Sequence, residues 1–349
     1  MHILVEHIGM KIVIEKNIPF IKGLLEPYAE VLYLAPGEID AAAMADADAL
    51  ITRTRTRCDG RLLDGSKCRF IATATIGTDH IDLDYCRRNG ITVANAPGCN
   101  APAVAQYVLA SVLYWKKTRG IQRPLSDMTL GIVGVGHVGS IVSRWAKGLG
   151  LNVIHCDPPR AELEGADGFV DMDTIAGKSD IVTFHTPLTK SGPYPTFHLA
   201  DKEFFEKLSR RPLLINSARG AVVDNSELVE AIRSGRVCDA VVDCWEHEPD
   251  ISRSLLDMAL VATPHIAGYS REGKVRATAM AVEALCRHFN LPVVRPAEPI
   301  PASIPNSPTA ETIASSYSPS TDTVALKSNP DGFEMLRNSY AYRSEPAGD

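Results

Sequence analysis

The sequence predicts an α/β protein of two domains, each a doubly wound parallel sheet, followed by a short C-terminal tail, and three observations carry that reading. Short apolar runs alternate with amphipathic stretches from Lys11 to Phe289, the rhythm of repeated strand–helix units that builds parallel sheets with helices on both faces. The rhythm breaks once, at the Ala-rich apolar segment 96–115. That segment is too long for a strand and reads as a buried helix crossing between domains. The stretch T-L-G-I-V-G-V-G-H-V-G, Thr129–Gly139, then restarts the series as a buried strand running into a glycine turn and a helix. Both domains are therefore expected to be Rossmann-like or flavodoxin-like.

Taken in order, the chain opens with a near-duplication, M-H-I-L-V-E-H followed by M-K-I-V-I-E-K. Only one copy can form the first strand without a helix between them, and Met10 is a candidate start. The apolar runs Ile12–Ile14, Val31–Leu34, Ala49–Thr52, Phe70–Thr75 and Ile91–Ala94 supply the first sheet. Within T-R-T-R-T-R, residues 52–57, period two would set Arg53, Arg55 and Arg57 on one side of an extended segment, an arrangement suited to a multiply charged anion. A solvated charge run is equally open. Pro97 and Gly98 stop the last of these strands, and Asn100 can cap the long helix.

The second sheet is expected from strands at 130–133, 153–156, 181–184, 213–215, 240–243 and 260–262, and the helical stretch Arg271–Phe289 returns the chain to the first domain. This divides the chain into a discontinuous substrate domain, 1–99 with 266–289, a nucleotide domain, 100–265, and a remainder, 290–349. Prolines every few residues after Leu291 mark a linker. Beyond it only Phe333–Tyr342 is amphipathic, too short for an independent core, so the tail is expected either to be disordered or to pack on a partner subunit.

Composition narrows the function classes. At 349 residues with 45% apolar and 22% charged side chains, the chain reads as a soluble globular protein. A net charge of −6 argues against binding a phosphate backbone, so no nucleic-acid partner is expected. Eight cysteines stand singly, without C-x-x-C pairs or metal-ligand spacing, which suits reduced thiols in the cytoplasm and predicts no metal site. No apolar run is long enough to span a bilayer, and no secretory signal pattern opens the chain, so no membrane partner is expected either.

The chemistry begins at Gly134, Gly136 and Gly139, which fit G-x-G-x-x-G with His137 and Val138 opening the following helix. Such a turn lets backbone approach a pyrophosphate and points a helix N-terminus at it. A second strand ends in Asp157, 18 residues past Gly139, near the spacing at which a carboxylate accepts from the adenosine ribose hydroxyls. A carboxylate there would repel a 2′-phosphate, so NAD rather than NADP is the expected cofactor. Three further residues follow apolar strands at the carboxyl edge of the sheet, where ligands bind in this class of fold. Arg219 in L-I-N-S-A-R-G has a planar fork able to hold a carboxylate. Glu248 in D-C-W-E-H-E-P and His265 in A-T-P-H-I-A-G suit a proton-transferring imidazole oriented by a carboxylate.

The order G-x-G-x-x-G, N-x-x-R-G, D-x-x-x-x-E-P, P-H-I resembles the D-isomer-specific 2-hydroxyacid dehydrogenases over Lys11 to Phe289. Further runs, T-A-T-I-G-T-D-H-I-D (73–82), A-P-G-C-N-A (96–101), C-D-P-P-R (156–160), S-G-P-Y-P-T-F-H-L (191–199) and P-H-I-A-G-Y-S-R-E-G-K (264–274), are most similar to a subfamily that oxidises a phosphorylated 2-hydroxy acid in vitamin B6 synthesis. The resemblance implies that Arg219, Glu248 and His265 are catalytic. It implies that Thr186, Ser217, Ala218, Asp243 and Gly268 join Asp157 in contacting NAD, and that Thr54, Thr75 and Tyr269 contact substrate. It also implies a homodimer, with F-E-M-L-R-N-S-Y-A-Y-R-S-E (333–345) standing for a reduced dimerisation segment. The N-terminal nine residues match nothing in the family. A general D-2-hydroxyacid or phosphoglycerate dehydrogenase stays open, as does a non-catalytic NAD-sensing scaffold, because fold does not settle function.

Overall fold

A computed structural model of the chain describes residues 9–299 and 304–347, so the first copy of the N-terminal near-duplication lies outside the described residues. The chain divides into two compact units. One takes the described residues up to Asn100 together with those from Arg271 to 299, and the other takes Ala101–Ser270 together with the described residues from 304 on. The divisions fall after Asn100 and Ser270 rather than after 99 and 265. The reason at the second is local: residues 266–269 hydrogen-bond to Asp243 and to Arg343, both in the second unit.

In the first unit β1 (Lys11–Glu15), β2 (Glu30–Leu34), β3 (Ala49–Thr52), β4 (Phe70–Thr73) and β5 (Thr92–Ala94) form a wholly parallel sheet in the order β2-β1-β3-β4-β5. Strand alternation sends Ile12 and Ile14 to one face, against Ala277, Ala281 and Leu285 of the helix Arg271–His288, and Val13 to the other, against Met44 and Leu63. A sheet buried on both faces needs such unbroken apolar strands, which is why they stand out in the sequence. The arginine run departs from expectation. β3 ends at Thr52 and the chain turns at 54–55, so Arg53, Arg55 and Arg57 do not share one side of an extended segment. Arg53 donates to the Asn17 carbonyl and Arg57 to the Asp79 carbonyl, each at 3.3 Å. The Arg53 N–H donates to Glu15 Oε2 at 2.9 Å, and this bond fixes the turn.

In the second unit β6 (Thr129–Val133), β7 (Asn152–Cys156), β8 (Ile181–Phe184), β9 (Leu213–Asn216), β10 (Asp239–Val242) and β11 (Val261–Ala262) run parallel in the order β11-β10-β9-β8-β6-β7. The order reverses between β6 and β8, and the glycine turn leaves β6 at that switch point, where the crossovers on either side diverge and open a crevice. The helices Ala101–Thr118 and His137–Gly148 cover one face, with Tyr107 and Trp145 fully buried. Phe184, Phe204, Leu228 and Leu255 fill the other.

The tail corrects the expectation of disorder. It forms helices Ala310–Ser316, Pro319–Ser328 and Phe333–Asn338, and these pack on the chain's own nucleotide unit. Ile313 and Tyr317 enter the core cluster around Tyr107, while Leu326 and Phe333 enter the one around Phe184. Before them, Trp145 Nε1 donates to the Pro305 carbonyl at 2.8 Å. Each helix adds only one or two anchors to cores that the sheet has already built, so no independent amphipathic core is required. All eight cysteines are free thiols, and among the described residues no helix is long and apolar enough to cross a membrane.

Candidate active site

The glycine turn is built by close approach. A Cβ on Gly139 would lie 2.1 Å from the Gly134 carbonyl oxygen, so only glycine lets the helix His137–Gly148 start this near the strand. A Cβ on Gly136 would meet no protein atom within 4 Å, which leaves the space in front of the helix N-terminus clear. Asp157, at the end of β7, folds back on the turn: its Oδ2 accepts from the Val135 N–H at 2.7 Å and its Oδ1 from the Arg160 N–H at 3.1 Å. Arg160 itself is held in a two-bond pair with Glu164, at 2.8 and 2.6 Å. The cation nearest Asp157 in sequence is thus already matched by a carboxylate.

Arg219, Glu248 and His265 stand on the loops that follow the adjacent strands β9, β10 and β11. Three buried groups shape these loops. Asn216, at the end of β9, donates to the carbonyls of Arg219 at 3.0 Å and Gly220 at 3.2 Å, and accepts from the Ala218 N–H at 3.2 Å. Gly220 permits contact with the next loop, since a Cβ there would sit 1.9 Å from the Trp245 carbonyl oxygen. Asp243 accepts from the Thr263 hydroxyl at 2.6 Å and from the N–H groups of Ile266 at 2.8 Å and Ala267 at 2.9 Å, fixing the loop that carries His265. Burial pushes the Asp243 carboxyl above its ordinary range despite these donors. The Tyr107 hydroxyl bonds Thr263 at 2.8 Å, and Trp245 Nε1 donates to the Thr263 carbonyl at 2.9 Å.

Within this frame His265 Nδ1 lies 2.8 Å from Glu248 Oε2 and 3.1 Å from Oε1, across 17 residues of sequence. A carboxylate only accepts, so Nδ1 carries the proton and Nε2 is left basic. Glu248 Oε1 also accepts from the Trp245 N–H at 2.9 Å. Burial pushes the Glu248 carboxyl up, but the facing imidazole and the Trp245 N–H outweigh it and hold the group below its usual value of 4.5. His265 adopts φ 57°, in the left-handed region. Arg219 is half-buried and donates to the Ala218 carbonyl at 2.8 Å.

Thr186 and Ser217 follow β8 and β9, and each hydroxyl is buried without a hydrogen-bond partner among the described residues. Gly268 and Tyr269 lie on the loop after His265, where the Tyr269 hydroxyl accepts from Arg337 Nε at 3.3 Å. In the first unit Thr54 stands exposed on the turn after β3, and Thr75 bonds the Thr73 hydroxyl at 2.6 Å and the Gly77 carbonyl at 3.1 Å.

Residues 100–267 match the family model for the D-isomer specific 2-hydroxyacid dehydrogenase NAD binding domain. The whole chain is similar to the erythronate-4-phosphate dehydrogenase of Bacteroides thetaiotaomicron, 48% identical over 340 residues that cover 96% of this chain and 97% of that one. The chain belongs to the D-isomer-specific 2-hydroxyacid dehydrogenases. The namesake enzyme of Chromohalobacter salexigens is 44% identical over 283 residues, 81% of this chain and 73% of that one. Among solved structures, NAD-bound 3-phosphoglycerate dehydrogenase of Entamoeba histolytica has a TM-score of 0.69 at 25% identity, covering 84% of this chain and 99% of that one.

As an NAD-dependent dehydrogenase of this family, the chain needs a site for the dinucleotide, and its residues fit one. The two hydroxyls of Thr186 and Ser217 are buried donors with no acceptor among the described residues, a cost that a bound polar ligand would relieve. The clear space before Gly136 suits a pyrophosphate, and Asp157 has lone pairs left for ribose hydroxyls. Asn216, Thr263, Tyr107, Arg337 and Arg343 were not legible as site residues. Asn216 had a signal, the first letter of N-x-x-R-G. Arg337 and Arg343 had none, because nothing in the tail's pattern says which surface it covers.

Proposed function

We propose that the chain oxidises 4-phospho-D-erythronate to 2-oxo-3-hydroxy-4-phosphobutanoate with NAD⁺, a step of pyridoxal phosphate synthesis in the cytoplasm, working as a homodimer. The observation that carries the reading is near full-length similarity to erythronate-4-phosphate dehydrogenases, and the His265–Glu248 pair at 2.8 Å agrees with it.

NAD⁺, when bound, accepts the hydride that leaves substrate C2. The chain's residues manage the rest. His265 Nε2 takes the proton of the C2 hydroxyl as the carbonyl forms, and Glu248 faces the Nδ1–H so that the new imidazolium is stabilised. Arg219 grips the C1 carboxylate, whose two oxygens match a guanidinium fork. Thr54, Thr75 and Tyr269 contact the remainder of the phosphorylated substrate. Gly134, Gly136, His137, Val138, Gly139, Asp157, Thr186, Ser217, Ala218, Asp243 and Gly268 hold the cofactor. Asp157 favours NAD over NADP.

The test is NADH formation from 4-phospho-D-erythronate beside 3-phosphoglycerate and unphosphorylated 2-hydroxy acids. A kcat/KM for the first at least about tenfold above the others supports the reading. Preference for 3-phosphoglycerate points to the rival dehydrogenase, and NADH binding with no turnover of any substrate points to a scaffold.

A further inference from the structure

We propose that Arg337, carried by the C-terminal helix Phe333–Asn338, is a positioning residue that fixes Glu248 and Tyr269 beside His265, making the tail a working part of the active site. This inference rests on reading His265 and Glu248 as the acid–base pair.

The geometry is specific. Arg337 Nη1 lies 3.8 Å from Glu248 Oε2, the same oxygen that His265 Nδ1 meets at 2.8 Å. Arg337 Nε donates to the Tyr269 hydroxyl at 3.3 Å, and Glu334 Oε1 stands 3.8 Å from Nη1. The carboxylate of Glu248 is therefore located from three sides: the Trp245 N–H on Oε1, and the imidazole and guanidinium on Oε2. Arg337 is only 17% exposed, although a guanidinium loses much hydration on burial and an apolar side chain would anchor the helix more cheaply. Phe333 on the same helix, fully buried, already provides such an anchor.

The tail is locked where Arg337 needs it. Arg343 donates to the carbonyls of Ile266 at 3.1 Å, Tyr269 at 3.2 Å, Ala267 at 2.5 Å and Ala103 at 3.1 Å, and to Gln106 Oε1 at 2.9 Å. Its guanidinium also lies 4.4 Å from the centre of the Tyr317 ring. One arginine thus ties the loop just after His265 to the segment that delivers the other.

Charge gives the arrangement a distinct signature. The charged and titratable groups around the pair are Arg337, Arg219, Asp243, Cys244, Tyr269 and Glu334. Arg337 partly offsets the field of Glu248 at the imidazole. Removing it should strengthen the net negative field and favour imidazolium, the opposite of removing Glu248.

The test compares full-length wild type, Arg337→Met and Arg337→Lys. The first readout is the His265 ring resonance against pH without substrate, and the second is kcat and KM for the 2-hydroxy acid. Arg337→Met should move the imidazole midpoint up by roughly half to one pH unit and lower kcat roughly tenfold. NADH binding should stay within about twofold, since Arg337 is not assigned to the cofactor. Arg337→Lys should restore most of the midpoint, because it keeps the charge. A midpoint unmoved in Arg337→Met, or moved equally in both variants, overturns the proposal. Should Arg337→Met fail to unfold cooperatively on heating, Arg337→Gln takes its place as the neutral variant under the same criteria. Absence of turnover in wild type would contradict the proposed function alone, while the substrate-free midpoints would still decide this inference.

Discussion

The proposed cofactor edge and the proposed catalytic edge of the second unit sit on one sheet, yet the contacts that support them reach over different lengths of chain. At the cofactor edge the contacts stay inside one strand–turn–helix–strand unit: Gly139 on the Gly134 carbonyl, and Asp157 on the Val135 N–H across 22 residues. At the catalytic edge His265 and Glu248 are themselves only 17 residues apart, but the contacts that hold them in place reach much further: Tyr107 on Thr263 across 156 residues, Arg337 on Tyr269 across 68 and Arg343 on Tyr269 across 74. A glycine turn is a property of its own strand–turn–helix unit, whereas an acid–base pair must be brought together and held by its surroundings.

If this contrast is right, the largest losses come from single atoms at the catalytic edge with the cofactor edge untouched. His265→Ala should cost about 10²- to 10⁴-fold in kcat in both directions of the reaction, because the proposed mechanism gives the hydroxyl proton to its Nε2. NADH affinity, measured by fluorescence titration, should be unchanged, and a large loss there would mean that the two edges are not separable. Arg219→Lys should lower kcat/KM by about two orders of magnitude, or roughly 3 kcal/mol of transition-state binding, since an ammonium cannot make the two-bond grip. Activity within threefold of wild type would remove Arg219 from the site. Gly139→Ala sharpens the contrast from the other side. The clash with the Gly134 carbonyl should destabilise the fold by about 1–3 kcal/mol and weaken NADH binding, while the His265 ring titration stays as in wild type. The smallest effect concerns cofactor choice: kcat/KM should favour NAD over NADP by roughly tenfold or more, with Asp157→Ala narrowing the gap. A wild-type preference for NADP would contradict the carboxylate argument.

The same contrast explains what the sequence could and could not show. Buried parallel strands are continuous apolar runs, so β1 to β11 were legible, and Gly134, Gly136 and Gly139 carried their spacing with them. Glu248 and His265 were legible as candidates, but a separation of 17 residues across two strands gives no distance, and only β10 lying beside β11 supplies it. The arginine run misled because period-two reasoning assumes that a strand continues, and β3 stops at Thr52. The tail was illegible for a physical reason: Ile313, Tyr317, Leu326 and Phe333 complete cores built by residues far away in the chain, and such anchors have no periodicity of their own.

The most direct test of the account is the pH dependence of both reaction directions in wild type and Glu248→Gln. Oxidation needs a neutral imidazole to take the proton and reduction needs a protonated one to give it, so the first rate should rise with pH and the second fall through a shared inflection. Glu248 is held below its usual 4.5, so it is ionised throughout that range; its support is complete above that value and is lost only as the pH falls through its depressed folded value. Replacing it with glutamine removes the charge that favours imidazolium, and both inflections should move to lower pH. Profiles that stay where they are in Glu248→Gln would contradict the pairing and return Glu248 to a purely structural role.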